Sequence, residues 1–236
     1  MKLLLLSNST NAGEEYLKYP INHIQQFLVN TNKEVLFIPY AAVTFSYDKY
    51  EKMVDERFSE ISIKVNSIHH FNNPTEALAN ASTIVIGGGN TFKLLKTIQD
   101  NNLIEPIRQR VIEDDIPYIG WSAGSNMACP TIRTTNDMPV VEPDSMNALN
   151  LIPFQINPHY QDKNPNGHAG ETREQRILEF IEMNRNQYVA GLREGTMFEI
   201  IDNNVELIGE KSIRVFKYGH ETREYNPGDN IDLLMY

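Results

Sequence analysis

Apolar runs of strand length alternate with helical patterns through the first half of this chain, and this alternation restricts the fold more than any other feature. The strand-like runs lie at residues 2–6, 34–39, 61–65, 83–86 and 118–120. The intervening segments with helical spacing lie at about 20–29, 47–60, 74–80, 91–99 and 103–113. Strands that alternate with helices predict an α/β fold, in which a mostly parallel sheet carries helices on both faces.

The pattern changes after about residue 187. Short apolar runs at 188–192, 197–201, 205–207 and 213–216 are separated by turn residues such as Asp202-Asn203-Asn204. We expect them to form a short antiparallel extension that packs on the same core. There is no internal repeat, linker or low-complexity tract, so residues 1–236 are predicted to form a single domain.

Composition restricts the class of partner and the compartment. The net charge of −10 argues against a nucleic-acid binder, which needs clustered Lys and Arg to neutralise phosphates. A single cysteine, Cys129, excludes an intramolecular disulfide and fits a reducing compartment. The apolar run at 2–6 is too short for a signal peptide, and no stretch approaches the roughly 18 residues of a membrane span. We therefore expect a cytoplasmic protein with no membrane partner, either monomer or homodimer.

The segment Gly120-Trp121-Ser122-Ala123-Gly124 has the form of a nucleophile elbow. It follows an apolar run and opens into a helix-compatible segment, so the serine hydroxyl would stand exposed in a tight turn between strand and helix. The N–H of Ala123 would then lie at a helix N-terminus, where it can stabilise an oxyanion. This arrangement indicates acyl transfer by a serine nucleophile.

A serine nucleophile needs a general base, and His159 is the best candidate among six histidines. It follows the apolar run at 151–154, where a strand end would bring it to the same rim as Ser122. An arbitrary histidine is more often a surface or core residue, and His168 is the local competitor. No His, Cys or carboxylate cluster shows ligand spacing, so we expect neither a metal site nor another cofactor. Cys129 lies inside the helix after the elbow and is expected to pack rather than react.

The acid that orients the base is not decided by the residues alone. Four candidates are available: Asp137, Glu142, Asp144 and Glu194. The order Ser122, Asp137, His159 is that of α/β hydrolases, but the three lie much closer along the chain than in that fold. The spacing therefore argues against an α/β hydrolase and favours a fold in which the three residues come from neighbouring segments of the chain.

A second glycine segment, Gly87-Gly88-Gly89-Asn90, follows the strand at 83–86. Glycines there would let a backbone N–H approach an oxyanion and complete the site with the N–H of Ala123. In the structural alternative, they only make a turn before a helix that Asn90 or Thr91 caps. Neither a dinucleotide fingerprint nor a P-loop is present.

These residues resemble the peptidase E family of aspartyl dipeptidases. The similar runs are residues 3–10, 87–95, 118–124, 128–139, 149–159 and 170–176, and the last 40 or so residues match more weakly. The resemblance implies a flavodoxin-like sheet related to class I glutamine amidotransferase domains. It also implies cofactor-free hydrolysis of small acidic dipeptides with an N-terminal L-aspartate.

The resemblance also assigns residues. It implies Ser122 as nucleophile, His159 as base, Asp137 as orienting acid, and the N–H groups of Gly88 and Ala123 as oxyanion donors. For substrate binding we expect Arg173 to pair with the aspartate side chain, since Arg offers a bidentate, permanently charged partner. Glu194 and Asn90 are further candidates for substrate contact, and Glu194 also stays as an alternative acid.

Two other functions are compatible with the sequence. A cyanophycinase-like enzyme would share the serine architecture but cleave β-aspartyl-arginine units. A degenerate module of the same fold would bind an acidic metabolite without catalysis.

Overall fold

The computed structural model describes residues 1–164, 167 and 169–236, and these contain eleven β-strands and seven α-helices. The strands are β1 (Lys2–Leu6), β2 (Glu34–Ile38), β3 (Lys64–Ser67), β4 (Ile84–Ile86), β5 (Tyr118–Trp121), β6 (Gln155–Tyr160), β7 (Tyr188–Arg193), β8 (Met197–Ile201), β9 (Asn204–Ile208), β10 (Ile213–Lys217) and β11 (Arg223–Tyr225). The helices are α1 (Ile21–Phe27), α2 (Tyr47–Ser59), α3 (Pro74–Ala79), α4 (Thr91–Asp100), α5 (Ile104–Ile112), α6 (Ala123–Ala128) and α7 (Arg173–Met183). Short 3₁₀ turns span Ile68–His70 and Asp232–Met235.

The main sheet has the strand order β3-β2-β4-β5-β1-β8-β9. Its first five strands are parallel, and β8 and β9 continue it in antiparallel pairing. From β2 the chain continues to one side of the sheet, to β3, and from β4 it continues to the other side, to β5, so the order of strands reverses between β2 and β4 as in doubly wound folds. In such folds the functional groups gather beyond the carboxyl ends of the strands. The predicted mostly parallel sheet is confirmed.

Both faces of the main sheet are buried, which explains why its strands are apolar throughout. Alternate side chains of a strand point to opposite faces. In β1, Leu3 and Leu5 pack on the side of α4 and α5, while Leu4 and Leu6 pack on the side of α1 and α2. The predicted placement of helices on both faces is confirmed.

The C-terminal strands divide between two sheets instead of forming one extension. β8 and β9 complete the main sheet, whereas β7, β10 and β11 join β6 in a four-stranded sheet of order β11-β10-β7-β6. Antiparallel pairing is confirmed for β8–β9 and for β10 with both neighbours, but β6 and β7 are parallel. The long connection through α7 permits this parallel pairing, which brings the carboxyl ends of β6 and β7 to one rim.

The third strand begins three residues later than predicted. The chain turns at Ser62, which has φ 59°, before β3 starts at Lys64. Ile61 and Ile63 are buried in the turn after α2, so their apolar side chains serve the core without lying in a strand. No helix in the described part of the chain is long and apolar enough to cross a membrane.

Candidate active site

Ser122 stands in a strained turn between β5 and α6. Its φ of 52° and ψ of −109° are unusual for a residue with a side chain, and such strain is typical of functional positions. The Ser122 N–H donates to the Leu6 carbonyl at 3.0 Å, which fixes the turn to β1. A Cβ at Gly124 would strike the Ile86 carbonyl, so only glycine lets α6 begin this close to the sheet. The geometry is that of the predicted nucleophile elbow.

His159 lies near the end of β6, where the strand is irregular. Its φ is 53°, and the pairing of β6 with β7 shifts register between Asn157 and Tyr160. Such a bulge re-aims a side chain. The backbone N–H of His159 donates to the Ser7 hydroxyl at 2.9 Å, and that hydroxyl donates to the Leu192 carbonyl at 2.7 Å. Ser7 therefore fixes the histidine backbone between the two sheets.

Three side chains form a continuous hydrogen-bonded chain. The Ser122 Oγ lies 2.9 Å from His159 Nε2, and His159 Nδ1 lies 2.7 Å from Glu194 Oε1. Glu194 directly follows β7, beside the end of β6. The side chains of His159 and Glu194 are 36% and 45% exposed, so the site is open to a small substrate. A serine hydroxyl, an imidazole and a carboxylate are thus in contact, in the order that a nucleophile, a base and an orienting acid require.

Asp137 does not occupy the position that the resemblance implied. Its Oδ2 accepts hydrogen bonds from the backbone N–H of Thr91 at 2.7 Å, from the Thr91 hydroxyl at 2.5 Å and from the Thr135 hydroxyl at 3.1 Å. These bonds attach Asp137 to the first turn of α4, while Glu194 fills the place beside His159. The expectation of Asp137 as the orienting acid is corrected on this geometry.

Two backbone N–H groups lie near the serine. Ala123 is the first residue of α6, where a helix leaves its N–H groups without intrahelical acceptors. A Cβ at Gly88 would come within 3.2 Å of the Ser122 Cβ and 2.9 Å of Trp121 Cδ1, so the Gly88 backbone passes directly over the elbow. Neither N–H donates to a protein acceptor among the described residues. They fit the predicted oxyanion donors.

Asn90 has a capping function. Its side-chain oxygen accepts from the Lys93 N–H at 3.0 Å, and its side-chain nitrogen donates to the Met138 carbonyl at 2.8 Å. Asn90 therefore caps α4, as one of the two interpretations of the glycine segment expected, and its contact with substrate stays a prediction.

Arg173 opens α7 and is half-buried. Burial lowers the pKa of its guanidinium, and the nearby Arg176 lowers it further, while the Asp137 carboxylate opposes this effect. It forms no ion pair with any side chain in the ranges 1–164, 167 and 169–236. A half-buried Arg without a carboxylate partner is suited to an anionic ligand.

The other candidates have different environments. Burial raises the pKa of the Cys129 thiol to about 12, so this cysteine is not a nucleophile at neutral pH. His23 lies 2.9 Å from Glu199, and His69 and His70 lie against Asp48 and Glu51. His168 falls outside the described residues.

Sequence reasoning missed three supporting residues. The first is Ser7, described above with His159. The second is Asn8, whose side-chain oxygen accepts a hydrogen bond from the N–H of Gly195, the residue after Glu194, at 2.9 Å. The buried Tyr50 hydroxyl donates to the Gly88 carbonyl at 2.8 Å and accepts from the indole N–H of Trp121 at 3.2 Å. A sequence signal for Ser7 and Asn8 did exist, because the polar segment 7–10 directly follows β1 and so lies at the functional rim of the sheet. Nothing in the sequence of α2 marked Tyr50 as a residue of the site.

Comparison with known proteins gives consistent matches. The family model described as peptidase family S51 matches residues 3–208. A protein named peptidase E from Nostoc sp. strain PCC 7120 is 50% identical over 234 residues, covering 99% of this chain and 96% of the relative. A peptidase E from Salmonella paratyphi A is 45% identical over 221 residues, covering 94% and 96%.

A solved structure supports the fold. The crystal structure of a peptidase from an acI-B1 Actinobacterium is similar with a TM-score of 0.69, covering 98% of this chain and 96% of that one. Its sequence identity is 15%, so this likeness concerns the fold alone.

Proposed function

The chain belongs to peptidase family S51 and is a serine hydrolase, and from this premise we propose that it cleaves dipeptides with an N-terminal L-aspartate. The observation that carries the proposal is the unbroken contact from Ser122 through His159 to Glu194. A module that only bound a metabolite would have no need of a strained serine in contact with a base.

Each member of this triad has one role. Glu194 accepts from Nδ1–H of His159, which leaves Nε2 as the acceptor for the Ser122 proton. The hydroxyl then attacks the carbonyl carbon of the aspartyl residue. His159 gives the proton to the leaving amine, and a water molecule, activated by the same histidine, hydrolyses the aspartyl-enzyme.

The oxyanion of each tetrahedral intermediate is stabilised by the N–H groups of Ala123 and Gly88. Both belong to rigid backbone, so no reorganisation is needed when charge develops on the substrate oxygen. Ala123 adds the positive end of α6. The fixed position of Gly88 depends on the Tyr50 hydroxyl, which bonds its carbonyl.

Specificity for aspartate is proposed to come from Arg173. Its half-buried guanidinium would pair with the substrate side-chain carboxylate and supply a local positive charge in a protein of net charge −10. Arg173→Gln should weaken transition-state binding of an aspartyl dipeptide by about 2–5 kcal/mol. Arg173→Lys keeps the charge but loses the bidentate fork, and should recover only part of the loss.

We further propose that residues 1–236 act as one catalytic unit. Ser122 comes from the main sheet and the other two triad members from the four-stranded sheet, and a shared buried cluster contains Phe198 of the former and Ile156 of the latter. The single, buried Cys129 fits a reducing, cytoplasmic environment. The substrates would be small acidic dipeptides, and the protein a monomer or homodimer.

Hydrolysis of a dipeptide panel tests the proposal. The purified protein is assayed with α-Asp-Leu, β-Asp-Leu, β-Asp-Arg, Asn-Leu and Glu-Leu, with and without chelator, beside Ser122→Ala. We expect cleavage of α-Asp-Leu alone, loss in the variant and no effect of chelator. Preferred cleavage of β-Asp-Arg would instead establish the cyanophycinase-like function, and activity retained in Ser122→Ala would refute the serine mechanism.

A further inference from the structure

Four ionisable side chains converge at the edge of the main sheet, on residues that the triad does not use. Asp48 and Glu51 lie in the first turns of α2, and His69 and His70 form the 3₁₀ turn after the edge strand β3. One potential ligand atom from each lies within 4.8 Å of all the others. No hydrogen bond or ion pair joins this cluster to the triad in the part of the chain that the structure describes.

The donor atoms lie close to the separations that a small metal ion requires, though two of these pairs are in hydrogen-bond contact here. His69 Nε2 lies 3.0 Å from Asp48 Oδ1, His70 Nε2 lies 2.6 Å from Glu51 Oε2, and His70 Nε2 lies 3.9 Å from Asp48 Oδ1. Bonds of about 2.0–2.2 Å in a tetrahedral zinc site place ligand atoms about 3.3–3.6 Å apart. Small side-chain rotations would therefore bring the four atoms around one ion.

Ser67, the last residue of β3, orients both sides of the cluster. Its hydroxyl lies 2.6 Å from His69 Nδ1, so the Nε2 atom of that ring is directed toward Asp48. Its backbone N–H donates to Glu51 Oε1 at 2.8 Å, which leaves Oε2 to face His70. Hydrogen bonds to the non-coordinating atoms of ligands are the usual way in which metal sites fix ring orientation.

Charge also favours a cation at this place. The N-terminus of α2 contributes about half a positive charge, which alone would repel a metal ion. The two carboxylates of Asp48 and Glu51 outweigh it. Two imidazoles with two carboxylates select zinc or a similar transition metal over Mg²⁺ and Ca²⁺, which prefer oxygen ligands alone.

We propose that Asp48, Glu51, His69 and His70 form a structural Zn²⁺ site that ties the start of α2 to the end of the edge strand β3. Four protein ligands close the coordination sphere, so the ion stabilises this corner of the fold and takes no part in peptide hydrolysis. This proposal departs from the expectation, made from the sequence, that no metal site exists. It relied on spacing along the chain, whereas these ligands come from two segments that only the fold brings together.

Direct metal binding tests the proposal. Zn²⁺ binding to the metal-free protein is measured by calorimetry and by metal analysis after dialysis. The variants are Glu51→Gln, which keeps an acceptor for the Ser67 N–H, and His70→Gln, whose ring is exposed. The matched control is His23→Gln, which removes a histidine that faces a single carboxylate, Glu199, at 2.9 Å.

We expect one Zn²⁺ per chain in the wild type and in His23→Gln. Affinity should fall by about tenfold or more in Glu51→Gln and in His70→Gln. Zn²⁺ should also raise the unfolding midpoint of the wild type and not that of the two cluster variants. Binding that persists at equal affinity in both cluster variants would overturn the proposal, because the ion would then lie elsewhere.

A second measurement does not depend on the variants folding. Co²⁺ added to the wild type should give the visible absorption of a tetrahedral site and should be displaced by Zn²⁺. The absence of this band, or of any stoichiometric metal, would refute the site. Neither readout involves peptide hydrolysis, so the result is independent of the proposed substrate.

Discussion

Replacing Glu194 with glutamine exchanges one carboxylate oxygen for an amide while keeping the size and shape of the side chain. Glu194 Oε1 lies 2.7 Å from His159 Nδ1. A carboxylate can only accept from Nδ1–H, whereas a glutamine can present an N–H and stabilise the opposite tautomer. In that tautomer Nε2 carries the proton and cannot take the one from Ser122.

The size of the effect follows from how exposed the carboxylate is. In a serine protease with a buried acid, the equivalent amide substitution lowers kcat by about 10⁴. The Glu194 side chain is 45% exposed, so water can partly replace it. We therefore expect kcat to fall by about 10²–10³, which corresponds to about 2.7–4 kcal/mol of transition-state stabilisation.

The assay compares kcat and KM for an aspartyl dipeptide in Glu194→Gln and in the matched variant Asp137→Asn. An asparagine oxygen can still accept from the Thr91 N–H, so Asp137→Asn should fold and change kcat by less than about tenfold. The reasoning is refuted if Asp137→Asn loses kcat as severely as predicted for Glu194→Gln while Glu194→Gln stays close to the wild type.

Three further outcomes follow from the supporting contacts. Tyr50→Phe removes the hydroxyl beneath the oxyanion loop and leaves two buried groups unpaired, so it should lower the free energy of unfolding by about 1–3 kcal/mol in urea titrations. Ser7→Ala should reduce kcat by about 10- to 100-fold because the histidine backbone loses its anchor, and it should also lower the free energy of unfolding by about 1–3 kcal/mol because the Leu192 carbonyl loses its buried donor; an unchanged kcat in the folded variant would argue against this positioning role. Hydrogen bonds from Arg193 hold the pKa values of Asp162 and Glu224 below their ordinary 3.8 and 4.5. Their contribution to stability is complete above those values and is lost as pH falls through the lowered pKa values, so Arg193→Gln should flatten the acid dependence of unfolding below about pH 4.5.

Several features of the site are local, and the sequence was sufficient to predict them. The turn at Ser122 needs only a strand, small flanking residues and a helix, all contiguous in the chain. The glycine run at 87–89 likewise follows its strand directly. His159 could be selected because the carboxyl ends of parallel strands meet at one rim.

The choice between the two acids depended on long-range packing. Asp137 and Glu194 both follow plausible segments, and no local pattern states which of them reaches His159. Glu194 does so because β7 pairs parallel to β6, while Thr91 at the start of α4 retains Asp137. The expected antiparallel extension failed to predict this pairing, since short apolar runs do not reveal their partners.

The sequence by itself therefore determined the parallel core, the serine turn and the family, because strand periodicity and turn chemistry act between residues that are close along the chain. Only the tertiary structure decided which carboxylate lies against His159, the supporting hydroxyls of Ser7 and Tyr50, and the cluster of Asp48 and Glu51 with the two histidines. Each of these contacts joins segments that are distant in sequence, and their meeting is set by how both sheets and their helices pack as a whole.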